Sequence, residues 1–227
     1  MHIEILTEDS STHRLLQYLL PQLLGPGGGP HTRRCHAYRG IGHLPPRLAG
    51  VSDPSRRILL ERLPGILRAH ARTQGIDSVV IILDADDRDC TAFLAELKAV
   101  ADACHASHLA MFRLAIEETE AWYLGDREAL EKAYPKAKRR VLNGYVQDSV
   151  CGTWELLADA LYPGGRQALR KPGAPRPGDL KHEWANRIGP FLDPDRNLSP
   201  SFGKLRDGLR RLVGLLPPSH TAPPLPC

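Results

Sequence analysis

A run of five apolar residues, Val79 to Leu83, constrains the fold of this chain more than any other segment. Valine and isoleucine dominate the run, and a stretch this short and β-branched favours a strand over a helix. A strand that is apolar at every position is typical of a sheet covered on both faces. The segment Ser78–Leu83 therefore predicts a central strand of a mostly parallel sheet flanked by helices.

Strand-like and helix-like patterns alternate through the first half of the chain. This alternation is typical of an α/β fold with a Rossmann-like, mostly parallel sheet. The further predicted strands are His2–Thr7, Cys35–Tyr38 and Leu109–Ile116. The predicted helices are one that carries the leucines from Leu15 to Leu23, and those at Pro54–Gln74 and Thr91–Cys104.

The second half of the chain reads as helical and irregular. Its predicted helices are Glu118–Leu124, Thr153–Leu161, Lys181–Phe191 and Phe202–Leu212. We therefore expect an α/β core over residues 1–125 and a helical extension packed on it over residues 126–214. Residues 215–227 are rich in proline and are predicted to be a disordered tail.

Composition excludes several classes of protein. The formal net charge of +4 is compatible with nucleic acid, but a soluble surface often has such a charge. The five cysteines are widely spaced, without the paired spacing of a zinc ribbon or the even count of a disulfide framework. Neither a signal peptide nor a membrane span is evident. We expect a cytoplasmic protein with reduced thiols and no contact with membranes.

Acidic residues follow two of the predicted strands. Glu8 comes after the first strand, and Asp84 and Asp86 come directly after the central one. Ligands of an open α/β sheet bind at the carboxyl edge of the strands, and carboxylates suit Mg²⁺ or Mn²⁺. Clustered carboxylates also repel one another unless a cation is present. The alternative is an acidic turn and a helix cap, the role expected of Asp9; we predict a metal site formed by Glu8, Asp84 and Asp86.

These motifs resemble those of a known superfamily. Glu8 closing the first strand and Asp84–Asp86 closing a later one are similar to the Toprim domain of topoisomerases, primases and overcoming-lysogenization-defect (OLD) nucleases. Tyr38–Gly40 and Glu118–Trp122 add a closer resemblance to a bacterial Toprim-like family of unknown function, often encoded beside AAA or ABC ATPases. The resemblance extends to about Leu212.

The resemblance implies phosphoryl-transfer chemistry on DNA or RNA. Glu8 corresponds to a metal ligand or general acid/base, and Asp84 and Asp86 correspond to metal ligands. No domain with a nucleophilic tyrosine is evident, so hydrolysis by a metal-activated water is the simpler mechanism. The expected protein is a nuclease, the effector subunit of an ATPase-linked antiviral defence system.

Two further residues are candidates for catalysis. Helical spacing prevents Glu117, Glu118 and Glu120 from reaching one place together, and Glu120 is the favoured second-metal ligand or positioning group. Its alternative is a solvated helix start. Lys181 is a candidate for stabilising charge on a phosphorane, although many such lysines lie on the surface.

Basic residues provide candidate contacts to nucleic acid. Arg39 follows a strand and is expected nearest the site, and the run Lys136, Lys138, Arg139 and Arg140 is interleaved with tyrosines. Such a run can follow a phosphate backbone, or it can be a solvated face. A homodimer is also compatible with the helical second half.

Two rival functions stay open at this point. The Asp84-Ala85-Asp86 motif after an apolar strand is also the manganese motif of nucleotide-sugar glycosyltransferases, although Glu8 after the first strand suits them less well. A non-catalytic regulatory partner of an ATPase, with a metal site kept for architecture, is the other rival.

Overall fold

The computed structural model describes residues 1–25, 29–49, 54–149 and 151–217. Within these residues four strands form one sheet: β1 His2–Thr7, β2 Thr32–Ala37, β3 Ser78–Asp84 and β4 Ala110–Ala115. All neighbouring strands are parallel. Every residue of β3 is buried, because strands pair with both of its edges and helices cover both of its faces. The α/β class and the central strand are therefore confirmed.

The strand order is β2-β1-β3-β4, so the direction of winding reverses between β1 and β3. In an open parallel sheet such a reversal leaves a crevice at the carboxyl edge, where ligands bind. Glu8 directly follows β1, and Asp84 is the last residue of β3. The topology therefore places both acids at the crevice.

Ten α-helices flank the strands in the part of the chain that the structure describes. They are α1 Ser10–Leu24, α2 Leu59–Arg72, α3 Cys90–Ala103, α4 Glu120–Gly125, α5 Arg127–Ala133, α6 Arg139–Asn143, α7 Thr153–Leu161, α8 Gly165–Ala168, α9 Pro177–Ile188 and α10 Pro200–Leu212. Short 3-10 turns lie at Pro46–Leu48, Pro54–Arg56 and Gly189–Phe191. The bounds of α7 agree with the prediction, and α3 and α10 differ from it by at most two residues at either end.

The sheet separates two apolar clusters, because successive side chains of a strand point to opposite faces. On one face Ile81 packs in a cluster with α2 and α3. On the other face Ile82 belongs to a larger cluster that includes α1 and side chains of the helical extension, among them Trp184 and Phe202. Residues 1–125 and 126–214 thus share a core.

Several predicted bounds were wrong for identifiable reasons. β2 covers Thr32–Ala37, because six backbone pairs with β1 set its extent rather than its own weakly apolar sequence. α2 begins only at Leu59, after a 3-10 turn. α9 begins at Pro177, a residue suited to the first turn of a helix. The short helices α5, α6 and α8 were not predicted at all.

The predicted tail falls almost wholly outside the described residues, which end at 217. Among the described helices, none has the length and apolar character needed to cross a membrane.

Candidate metal centre

Glu8 and Asp84 meet at the crevice between β1 and β3. The backbone N–H of Asp84 donates a hydrogen bond of 3.1 Å to Glu8 Oε2. Asp9 caps α1, since its Oδ1 accepts from the backbone N–H of Thr12 at 2.6 Å, as predicted. One carboxylate oxygen each of Glu8, Asp9 and Asp84 lie within 4.8 Å of one another. This spacing lets three oxygens reach a single cation.

A second group of acids shares Asp84. One oxygen each of Asp84, Glu118 and Glu120 also lie within 4.8 Å of one another. Asp84 and Glu120 are only 3% and 1% exposed. The backbone N–H of Thr119 donates to Asp84 Oδ1 at 3.0 Å, which fixes the loop that carries both glutamates against the end of β3. The two groups together form a centre that can hold more than one ion.

Glu118 was missed from the sequence because the predicted helix begins too early. The structure has bends at residues 116 and 117, and α4 starts only at Glu120. Glu118 and Glu120 therefore do not follow helical spacing, and both reach Asp84. Glu117 points elsewhere and caps α7, where its carboxylate accepts from the backbone N–H groups of Gly152 and Thr153.

Lys181 lies inside this centre. Its Nζ donates to Glu118 Oε1 at 2.8 Å and lies 3.3 Å from Glu120 Oε2. Burial alone would lower the pKa of Lys181, but the charges of Glu120, Glu118 and Asp84 raise it above its ordinary value. The ammonium therefore stays protonated, and α9 delivers one fixed positive charge to the acids.

Burial changes the acids more than any neighbouring charge does. It raises the pKa of Glu8 from 4.5 to about 7 and that of Glu120 from 4.5 to about 7. Burial also raises the pKa of Asp84 well above its usual value, and the charges of Glu8 and Glu120 raise it further. Such shifts are typical of acids that share too few positive charges.

Asp86 belongs to neither group of acids. It is exposed, and its Oδ2 lies 3.4 Å from Arg88 Nη1. Asp86 and Glu117 both have left-handed backbones, with φ of 51° and 60°. The N–H of Asp86 donates to the carbonyl of Glu117 at 2.8 Å, which joins the loops that follow β3 and β4. The predicted role of Asp86 as a ligand stays a prediction.

A groove of about 350 Å³ opens beside the centre. Its lining includes Asp86, Glu118, Trp154 and Lys181, and five of its lining residues are acidic while one is a lysine. The indole Nε1 of Trp154 is buried and has no hydrogen-bond partner among the described residues. This excess of negative charge beside the acids favours a cation in the groove or at its edge.

The residues present fit a hard divalent cation. All donors in both groups are carboxylate oxygens, the ligands that Mg²⁺ and Mn²⁺ prefer. Glu120 Oε2 is buried and accepts no hydrogen bond from any described residue, although Lys181 lies nearby. An orphaned buried carboxylate oxygen is costly unless a cation or a proton occupies its site.

Comparison with family models, curated proteins and solved structures gives no match for this chain. The resemblance to Toprim proteins therefore stays a prediction, and the function has to be argued from the site itself.

The predicted contacts to nucleic acid lie in two places. Arg39 is exposed, and the next residue, Gly40, donates its N–H to the carbonyl of Glu8 at 2.7 Å, so this turn lies beside the centre. Lys136, Lys138, Arg139 and Arg140 are all exposed on the helical extension, at and before the start of α6. Arg139 forms an ion pair of 3.1 Å with Glu131.

Proposed function

We propose that this chain is a Mg²⁺- or Mn²⁺-dependent nuclease of the Toprim type that hydrolyses phosphodiester bonds in DNA or RNA. The observation that carries the proposal is the cluster of Asp84, Glu118 and Glu120 with Lys181 at the switch point of a parallel sheet. Acid clusters at this edge suit metal-assisted phosphoryl transfer, in which bound cations activate water and neutralise phosphate oxygens.

The ligand set has a defined division. Glu8, Asp9 and Asp84 would hold one ion, and Asp84, Glu118 and Glu120 would hold a second, with Asp84 shared. Glu120 thereby takes the role of second-metal ligand that its position in the sequence favoured. Asp86 lies at the rim of the groove, where it can orient water around the ions or complete a coordination shell.

Lys181 supplies positive charge at the same place. Because its ammonium is held between two carboxylates, it has a fixed position before substrate arrives. A preorganised charge of this kind stabilises the negative charge that develops on a phosphate in the transition state. The apposition of Lys181 to the acids supports this role.

The proposed wider role is that of an effector subunit in an ATPase-linked defence system, as the sequence resemblance implies. A non-catalytic partner of an ATPase is the alternative that shares the same metal site. The separation of Asp84 from Asp86 gives no support to a glycosyltransferase, whose metal motif uses both aspartates together.

The deciding experiment is a cleavage assay. Plasmid, linear duplex, single-stranded DNA and tRNA are incubated with Mg²⁺ or Mn²⁺, alone and with the ATPase encoded nearby plus ATP. We expect Glu8→Gln and Glu120→Gln to reduce cleavage by at least about two orders of magnitude, because each removes a charged ligand.

Glu96→Gln is the matched control, since Glu96 is exposed on α3 at the opposite face of the sheet. It should cleave at the wild-type rate. Cleavage that survives both ligand substitutions would place the chemistry elsewhere. Metal binding without cleavage of any substrate would favour the regulatory partner.

A further inference from the structure

A second groove lies along a neighbouring face of α9. Its volume is about 480 Å³, and it is bounded by α9, the segment that follows α5, and the end of α7. Leu180 and Trp184 are buried side chains of α9 that line it, and Tyr134 and Tyr162 line it from the other two segments. We call this site the aromatic groove.

One wall of the aromatic groove is held in place without any ligand. The hydroxyl of Tyr134 donates to Glu183 Oε1 at 3.1 Å, and the guanidinium carbon of Arg187 lies 4.0 Å from the centre of the Tyr134 ring. Arg187 also donates to Glu183 and to the carbonyl of Ala133, each at 3.2 Å. A rigid aromatic wall loses little entropy when a ligand binds.

The aromatic groove adjoins the acidic groove. Trp154 lines the acidic groove and Trp184 lines the aromatic one, and the centres of their rings are 6.1 Å apart. Lys181 precedes Trp184 by about one helical turn, a rise of roughly 5 Å. A ligand in the aromatic groove would therefore lie beside the acids and Lys181.

The rim of the aromatic groove is positively charged. Lys136 is exposed and lines the groove, and Lys138 and Arg140 follow it on the surface. In the part of the chain that the structure describes, these three side chains form no ion pair, whereas Glu183 is already paired with Arg187. An aromatic interior with free cations at the rim complements a flat ring attached to an anion.

We propose that the aromatic groove binds an unpaired nucleobase of the substrate strand while Lys136 contacts the adjoining phosphate. The inference rests on the proposed nuclease function and narrows its substrate to strands with unpaired bases. A base within a duplex is stacked on both faces, so it cannot enter the groove, whereas a single strand can place a base against the tyrosines. The adjoining phosphates would then pass towards the acidic groove.

Binding without cleavage tests this inference, so the assay is done in EDTA. A labelled oligothymidylate is compared with an abasic strand of the same length and charge. We expect wild-type protein to bind the oligothymidylate about tenfold more tightly, because stacking of a single base contributes on that order. Tyr162→Ala should abolish this preference, and Tyr162→Phe should keep it because the ring remains.

A charge reversal provides a test that does not touch the core. Lys136→Glu should weaken the binding of both strands and reduce the salt dependence of binding by one to two phosphate contacts, on the order of one log-log unit each. Lys98→Glu is the matched control, since Lys98 is exposed on α3, which covers the opposite face of the sheet. It should leave the salt dependence unchanged.

Three results would overturn the inference: equal binding of the abasic and base-containing strands, equal binding of a duplex, and no binding of any strand. The last would leave an apolar side chain of a partner protein as the occupant of the groove. Base-selective binding by a protein that never cleaves would refute the nuclease and leave the groove assignment standing. Cleavage without base preference would do the reverse.

Discussion

Replacing Glu8 by glutamine should make the metal-free protein more stable above neutral pH. Glu8 is mostly buried, and burial raises its pKa from 4.5 to about 7. In glutamine the side-chain oxygen still accepts the hydrogen bond from the N–H of Asp84, while the buried charge disappears. The substitution therefore isolates the cost of keeping a carboxylate charged among other acids.

The sign and size of the effect follow from proton linkage. A carboxyl with a raised pKa stabilises the folded state fully below about pH 4.5, and this contribution is lost as the pH rises to about 7. Above about pH 7 the wild type has lost about 3 kcal/mol relative to Glu8→Gln, at about 1.4 kcal/mol for each pKa unit. Near pH 4.5 the difference should vanish.

Urea denaturation in EDTA at a series of pH values measures this difference directly. Saturating Mg²⁺ should then stabilise the wild type by about 2.7 kcal/mol at a hundredfold excess over its dissociation constant, and Glu8→Gln by much less. Glu96→Gln, on the exposed side of α3, should follow the wild type throughout. A Glu8→Gln protein that is less stable than wild type at alkaline pH would refute the argument that this carboxylate is strained without a cation.

Three other substitutions have definite expected outcomes. Lys181→Met should destabilise the metal-free protein by about 3 kcal/mol in urea denaturation, because it leaves two carboxylates without their buried cation. Asp126→Ala should cost about 3 kcal/mol in the same assay, because Asp126 is fully buried, pairs with Arg196 through both oxygens and caps α5. In calorimetry Asp84→Asn should lower Mg²⁺ affinity by at least about tenfold, whereas Asp86→Asn should change it by less than about threefold, since only Asp84 belongs to both groups of acids.

The sheet could be predicted where the sequence has a single dominant signal. The β-branched run in β3 specifies a buried strand whatever its partners, and the acids after β1 and β3 follow from that assignment. The edge strand β2 has the sequence Thr-Arg-Arg-Cys-His-Ala, whose pattern is too polar to set its bounds. Those bounds are decided by pairing with β1, a tertiary interaction that a local pattern does not contain.

The centre could be predicted only in part, for a different reason. Glu8 and Asp84 follow from strand ends, but Glu118 depends on two bends after β4 that delay the start of α4. A helical reading of residues 117–120 separates acids that the loop brings together. Lys181 lies 63 residues from its partner Glu118 in the chain, so no local spacing could indicate their contact.

The helical extension completes the centre as well as covering the sheet. The only lysine that lines the acidic groove comes from α9, and Trp154 of α7 lines it as well. α7 in turn begins at the point where Glu117, from the loop after β4, caps its first turn. Without α9 the carboxylates at the switch point would face one another with no buried ammonium between them, and their repulsion would oppose folding of the carboxyl edge. Residues 1–125 therefore supply the ligands, but the charge balance that lets those ligands be buried depends on residues 126–214.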